Sequence, residues 1–198
     1  LMTTSTLLAG DMGGTKTLLA LYGMNGGKLT QLHQQRFISS QWPSLNPMLE
    51  AFLTNRPGEL KAPQHGCLAV AGPVQNGSAQ VTNLPWKLKE EQLAASASLN
   101  QLELVNDFRV LIYGLPHFEE SQQVVLHAGL QDDGPLAILG AGTGLGMARG
   151  VHSKNGLMAL ASEGGHREFA PRTDEEWRLA CWLKDDLGLD RLSIERVV

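Results

Sequence analysis

Five short stretches of the chain carry residue types that can handle phosphate, metal and hydroxyl groups. The first is Asp11-Met12-Gly13-Gly14-Thr15, behind the apolar run Leu7-Leu8-Ala9-Gly10. A glycine-rich turn between two strands presents backbone N–H groups that wrap an anion without charged side chains. Asp11 adds a carboxylate suited to Mg2+, directly or through water, and Thr15 adds a hydroxyl. The second, Gly140-Ala141-Gly142-Thr143-Gly144, repeats the donor array without the carboxylate. Either turn alone is equally a plain hairpin; two of them, with threonines in matching places, point to phosphate.

The other three stretches carry side-chain chemistry. Asn106-Asp107 follows the apolar run Leu102–Val105, and in an α/β sheet ligands gather beyond the carboxyl ends of strands. A carboxylate there can accept a hydroxyl proton, although spacing alone makes an N-cap for the next helix the simpler account. Glu163-Gly164-Gly165-His166 could be read as a helical metal motif, but two central glycines would cost a helix about 2 kcal/mol. A loop presenting a carboxylate and an imidazole to a polar ligand fits better, and a solvated loop fits equally well. Glu195 lies in Leu192-Ser193-Ile194-Glu195-Arg196, where Ser193 as the N-cap of a short helix is the plain account.

Other chemistries find no foothold. No G-x-x-x-x-G-K-[ST] is present, and a dinucleotide fingerprint begun at Gly142 fails at Met147. H-E-x-x-H, cysteine clusters and G-x-S-x-G are all missing.

Elements able to position these residues follow from apolar patterning and breakers. Leu7–Gly10 and Thr17–Tyr22 predict a hairpin about the first glycine turn, and Asn25-Gly26-Gly27 leads into a third strand over Lys28–Ile38. Leu45, Met48, Leu49 and Phe52 share one helical face between Pro43-Ser44 and Pro57-Gly58. Cys67–Ala71 and Leu102–Val105 predict strands, and Lys89–Ser98 and Phe108–Leu115 predict helices. The opening then recurs: strand Leu136–Leu139, glycine turn, strand Leu145–His152, turn Asn155-Gly156 and strand Leu157–Ala161. A strand–turn–strand–turn–strand unit used twice implies two α/β lobes with a cleft between them, over residues 1–120 and 121–198.

Composition narrows the function classes. A net charge of −4 argues against a nucleic-acid partner, which calls for a basic face. Apolar runs as short as Leu136–Leu139 fall far below the ~18 residues of a spanning helix, so no membrane partner is expected. The N-terminal residues lack a basic region ahead of a long apolar one, and the two cysteines are far apart. A reduced, cytoplasmic protein is the expectation.

The ordered set of motifs is more specific than any one of them. It comprises Gly10-Asp11-Met12-Gly13-Gly14-Thr15, Ala71-Gly72-Pro73, Thr82-Asn83, Val105-Asn106-Asp107-Phe108, Gly140–Gly146, Glu163–His166 and Ile194-Glu195-Arg196-Val197. In this set the chain closely resembles the bacterial glucokinases, hexokinase-type sugar kinases with the actin-like ATPase (ribonuclease-H-like) fold. The resemblance implies a two-lobed α/β protein whose second lobe is incomplete, since the family's chain continues past Val198 with its adenosine-binding segment. It implies ATP and Mg2+, with Gly10, Asp11, Met12, Gly13, Gly14 and Thr15 as the first phosphate-binding loop and Gly140, Gly142, Thr143 and Gly144 as the second. Asp11 is then the Mg2+ residue, through water or directly. Asp107 is similar to the catalytic base that takes the proton of the D-glucose 6-hydroxyl. Asn106, Glu163, His166 and Glu195 resemble the groups that bind the other sugar hydroxyls, and a homodimer is the family's usual state. Arg167–Arg172 holds no cysteine, which sets the chain apart from the zinc-containing ROK kinases. A kinase of another hexose and a non-catalytic sugar-binding fragment or sensor stand as the alternatives.

Overall fold

A computed structural model describes residues 5–81, 84–130, 134–142 and 144–198. The chain divides into two compact units, Leu1–Asp107 and Phe108–Val198.

The first unit is built on a five-stranded mixed sheet. Three strands, β1 (Ser5–Met12), β2 (Lys16–Asn25) and β3 (Lys28–Ile38), form an antiparallel meander. β4 (His65–Val70) runs parallel to β1. A small antiparallel sheet follows, made of β5 (Val74–Gln75), β6 (Ser78–Gln80) and β7 (Lys87–Lys89). β8 (Gln101–Asn106) then closes the main sheet parallel to β4, giving the order β3-β2-β1-β4-β8.

Helices α1 (Leu45–Thr54) and α2 (Glu90–Ser96) complete the core. Leu45, Met48, Leu49 and Phe52 of α1 are fully buried, as the i, i+3, i+4, i+7 spacing requires. They join one cluster with Leu8, Leu19, Leu21, Leu68, Val70, Leu93, Leu102 and Leu104. The small sheet was absent from the sequence reading, although its turn, Asn76-Gly77, is a strong hairpin signal. Both turn residues have positive φ, 49° and 66°.

Helix α3 (Asp107–Gly114) leads into the second unit. There β9 (Leu136–Ala141), β10 (Leu145–Ser153) and β11 (Gly156–Ser162) form a second antiparallel meander. Its core is small: Ile112, Ala148 and Ala159, with Phe108, Leu115, Leu136, Ile138 and Leu157 packed around them. Arg109 Nε donates to Ala159 O at 3.0 Å, and Ala159 N donates to the Tyr113 hydroxyl at 3.3 Å. These contacts bind α3 to the second meander, so the division falls ahead of the expected 120/121 boundary.

The sequence reading had no helix between 167 and 191, where α4 (Asp174–Leu187) lies. The Thr173 side chain caps it by accepting from Glu176 N at 3.1 Å, and Gly188 ends it at φ 61°. Its Trp177, Leu179, Trp182 and Leu187 are exposed. Among the described residues, no helix is long and apolar enough to cross a membrane.

The two cysteines differ in environment. Burial, and then the carboxylates of Glu103 and Glu90, push the Cys67 thiol up from its ordinary value. Cys181 is exposed on α4. The thiolate is the reactive form, so a raised value leaves less of it at any given pH. At pH 8, iodoacetamide is expected to alkylate Cys181 at least about tenfold faster than Cys67. Peptide mapping over time checks this, and equal rates would refute it.

Candidate functional site

In the first unit two groups of candidates sit at the carboxyl ends of β1 and β8, parallel strands with β4 between them. The first glycine turn joins β1 to β2. Gly13 N donates to Lys16 O at 3.0 Å and closes the hairpin. Asp11 and Thr15 are exposed and Met12 is buried. Gly10 lies inside β1, where an added Cβ would come within 2.6 Å of Leu68 and 2.9 Å of Leu19. The buried Leu68 and Leu19 side chains thus already fill the space a side chain would take there.

Asn106 ends β8 and Asp107 begins α3. The Asn106 amide donates both to Asp107 Oδ1, at 2.9 Å, and to Gly72 O, at 3.1 Å. One side chain thus ties the carboxylate to the Ala71-Gly72-Pro73 segment after β4. Gly72 has φ 137°, a conformation that only glycine adopts without strain.

In the second unit the structure brings Glu163, His166 and Glu195 together. Gly164–His166 is one turn of 3-10 helix, so the Glu-x-x-His segment is a tight turn rather than an α-helix. His166 Nε2 lies 3.4 Å from Glu163 Oε2, and His166 Nδ1 lies 3.7 Å from Glu195 Oε1. The other Glu195 oxygen accepts from Leu145 N at 3.1 Å. Glu195 therefore touches both the His166 turn and the first residue of β10.

The second glycine turn is closed by Gly142 N donating to Gly144 O at 2.9 Å. A Cβ on Gly144 would meet Glu195 Oε2 at 2.5 Å. On Gly140 it would meet the Phe108 ring at 2.8 Å, and on Gly146 it would overlap that ring. Thr143 of the turn, and Thr82-Asn83 of the motif set, lie outside the described residues. Ser193 precedes the 3-10 turn Ile194–Arg196 without capping it through its side chain.

Among the described residues, no group of three or more His, Cys, Asp or Glu could hold a metal ion. A lone exposed carboxylate such as Asp11 still fits Mg2+, which keeps several waters and leans on one or two carboxylates plus substrate phosphates. Three contacts escaped the sequence reading: Glu195 with Leu145, Asn106 with Gly72, and the Thr17–Ser39 pair behind the first turn. No motif marks any of them.

Comparisons with known proteins identify the family and the fold. The glucokinase family model matches residues 8–198. A glucokinase of Nostoc sp. is 41% identical over 196 residues, covering 97% of this chain and 56% of that protein. The crystal structure of glucokinase from an Antarctic psychrotroph superposes with a TM-score of 0.82 at 32% identity, over 96% of this chain and 59% of that one. Glucokinase from Balamuthia mandrillaris, solved in complex with glucose, shares the fold with a TM-score of 0.73 at 20% identity, over 98% and 59%. The fold is the actin-like ATPase fold, and the chain spans a little over half the length of the curated relatives it matches. By its family model and these relatives, the chain belongs to the glucokinase family.

Proposed function

We propose that this chain serves ATP-dependent phosphorylation of D-glucose at O6, yielding glucose 6-phosphate and ADP. The observation that carries the reading is Asp107, placed at the carboxyl end of β8 and held there by Asn106, in a chain of the glucokinase family. The Asp107 carboxylate takes the proton from the 6-hydroxyl as that oxygen bonds to the γ-phosphorus, and the bond from that phosphorus to the bridging oxygen of ADP breaks.

Asn106, Glu163, His166 and Glu195 hydrogen-bond the remaining sugar hydroxyls. Carboxylates accept from two neighbours at once, and a site acceptor left unpaired penalises a sugar lacking one hydroxyl. Gly10–Thr15 and Gly140–Gly144 supply amide donors for the nucleotide phosphates. Asp11 would hold Mg2+, directly or through water, and the ion would neutralise phosphate charge. A cytoplasmic homodimer is the assembly proposed.

The test is glucose-dependent ADP release from the 198-residue chain with Mg-ATP. Release that requires glucose, with kcat/KM highest for glucose among hexoses, is expected. Equal kcat/KM for mannose or fructose would overturn the choice of sugar. Glucose binding without Mg-ATP binding would replace the kinase by a sugar-binding module.

A further inference from the structure

Ser39 belongs to no motif, yet it grips the first glycine turn from behind. It begins the 3-10 turn Ser39–Gln41 directly after β3 and is fully buried, as is Thr17. The Ser39 hydroxyl donates to Gly13 O at 3.2 Å, and its backbone N–H donates to Thr15 O at 3.0 Å. Thr17 Oγ1 lies 3.0 Å from Ser39 Oγ. A hydroxyl carries one proton and a carbonyl can only accept. The Ser39 proton is therefore committed to Gly13, and Thr17 must be the donor to Ser39.

This small network fixes the direction of a peptide plane. In a trans peptide the carbonyl of one residue and the N–H of the next point in opposite directions. Holding Gly13 O toward the buried Ser39 turns the Gly14 N–H to the open side. The N–H groups of Gly14 and Thr15 have no partner among the described residues, while that of Gly13 is spent on Lys16 O. Two adjacent glycines make this plane cheap to rotate. Without the grip, the Gly13 carbonyl could turn outward and set a negative dipole where an anion is to bind.

We propose that Ser39, backed by Thr17, is a positioning residue that holds the amide donors of the first glycine turn toward the nucleotide phosphates. The proposal rests on reading that turn as a phosphate-binding loop.

The test measures the Mg-ATP dissociation constant by calorimetry, with the ligand-free melting temperature, for wild type, Ser39→Ala, Thr17→Val and Thr17→Ser. Ser39→Ala and Thr17→Val should each weaken Mg-ATP about tenfold, the scale of one hydrogen bond. Thr17→Ser keeps the hydroxyl and should bind within about twofold of wild type. Amide exchange at Gly14 should quicken in the first two variants, independently of any ligand. Thr17→Val preserves shape, so it carries the test if Ser39→Ala fails to fold. Variants that melt lower but bind Mg-ATP as wild type does would overturn the proposal and leave a purely structural pair. A wild type that binds neither Mg-ATP nor magnesium tripolyphosphate, a probe that needs no adenosine-binding segment, would overturn the phosphate-loop reading and this proposal with it. The two failures are distinguishable, because in the first the wild type binds.

Discussion

Asp107→Asn is expected to lower glucose-dependent ADP release on the order of a thousandfold while leaving glucose affinity within about threefold. The asparagine is isosteric and keeps an oxygen able to accept from the Asn106 amide, which now stands 2.9 Å from Asp107 Oδ1. The change removes the capacity to take a proton, together with the negative charge and one acceptor oxygen. Asp107→Ala would remove that hydrogen-bond partner as well, and a fall in activity could then come from displacement of Asn106. The asparagine variant separates the two effects. Steady-state ADP release and equilibrium dialysis with glucose measure them. Turnover within tenfold of wild type would remove Asp107 from the role of base.

Gly165→Ala is expected to destabilise the second unit by about 3 kcal/mol. Gly165 is buried in the turn between Glu163 and His166, and a Cβ there would overlap the backbone oxygen of Leu145. A flexible side chain could move aside, but this oxygen cannot. Leu145 starts β10, pairs with Ala141 of β9, and donates its N–H to Glu195. Relief must therefore come from moving the His166 turn or the strand, and either displaces Glu163, His166 and Glu195 together. For a unit of this size the loss lowers the melting temperature on the order of 15 °C. Gly142→Ala is the control, since a Cβ there meets nothing within 4 Å. It should stay within about 0.5 kcal/mol of wild type. Circular dichroism melts compare the pair, and equal midpoints would show that the turn has more room than the geometry allows.

Much of the fold was legible because local rules and tertiary packing agree there. Lys28–Ile38 was expected as a strand and is one, and the apolar face Leu45, Met48, Leu49 and Phe52 is buried as its spacing demands. Both meanders were readable from apolar runs cut by glycine turns. The helix α4 was not, although Leu179, Leu183 and Leu187 recur at i, i+4, i+8 and Thr173 and Gly188 mark its ends. The three strands of the small sheet are too short to show alternation, although Asn76-Gly77 marks one of its turns.

The candidate site divides along the same line. By itself the sequence determined which residues can do chemistry, and their order along the chain placed it in its family. Those are properties of residue type and spacing. Only the tertiary structure decided how the residues are held: Ser39 behind Gly13, Glu195 on Leu145, and Gly165 against the Leu145 carbonyl. Ser39 and Gly13 are 26 positions apart, and Glu195 and Leu145 are 50 apart. No local periodicity links residues so distant. They meet because strand register and the burial of apolar side chains bring their backbones together, and hydrogen bonds then pair the polar groups brought within reach.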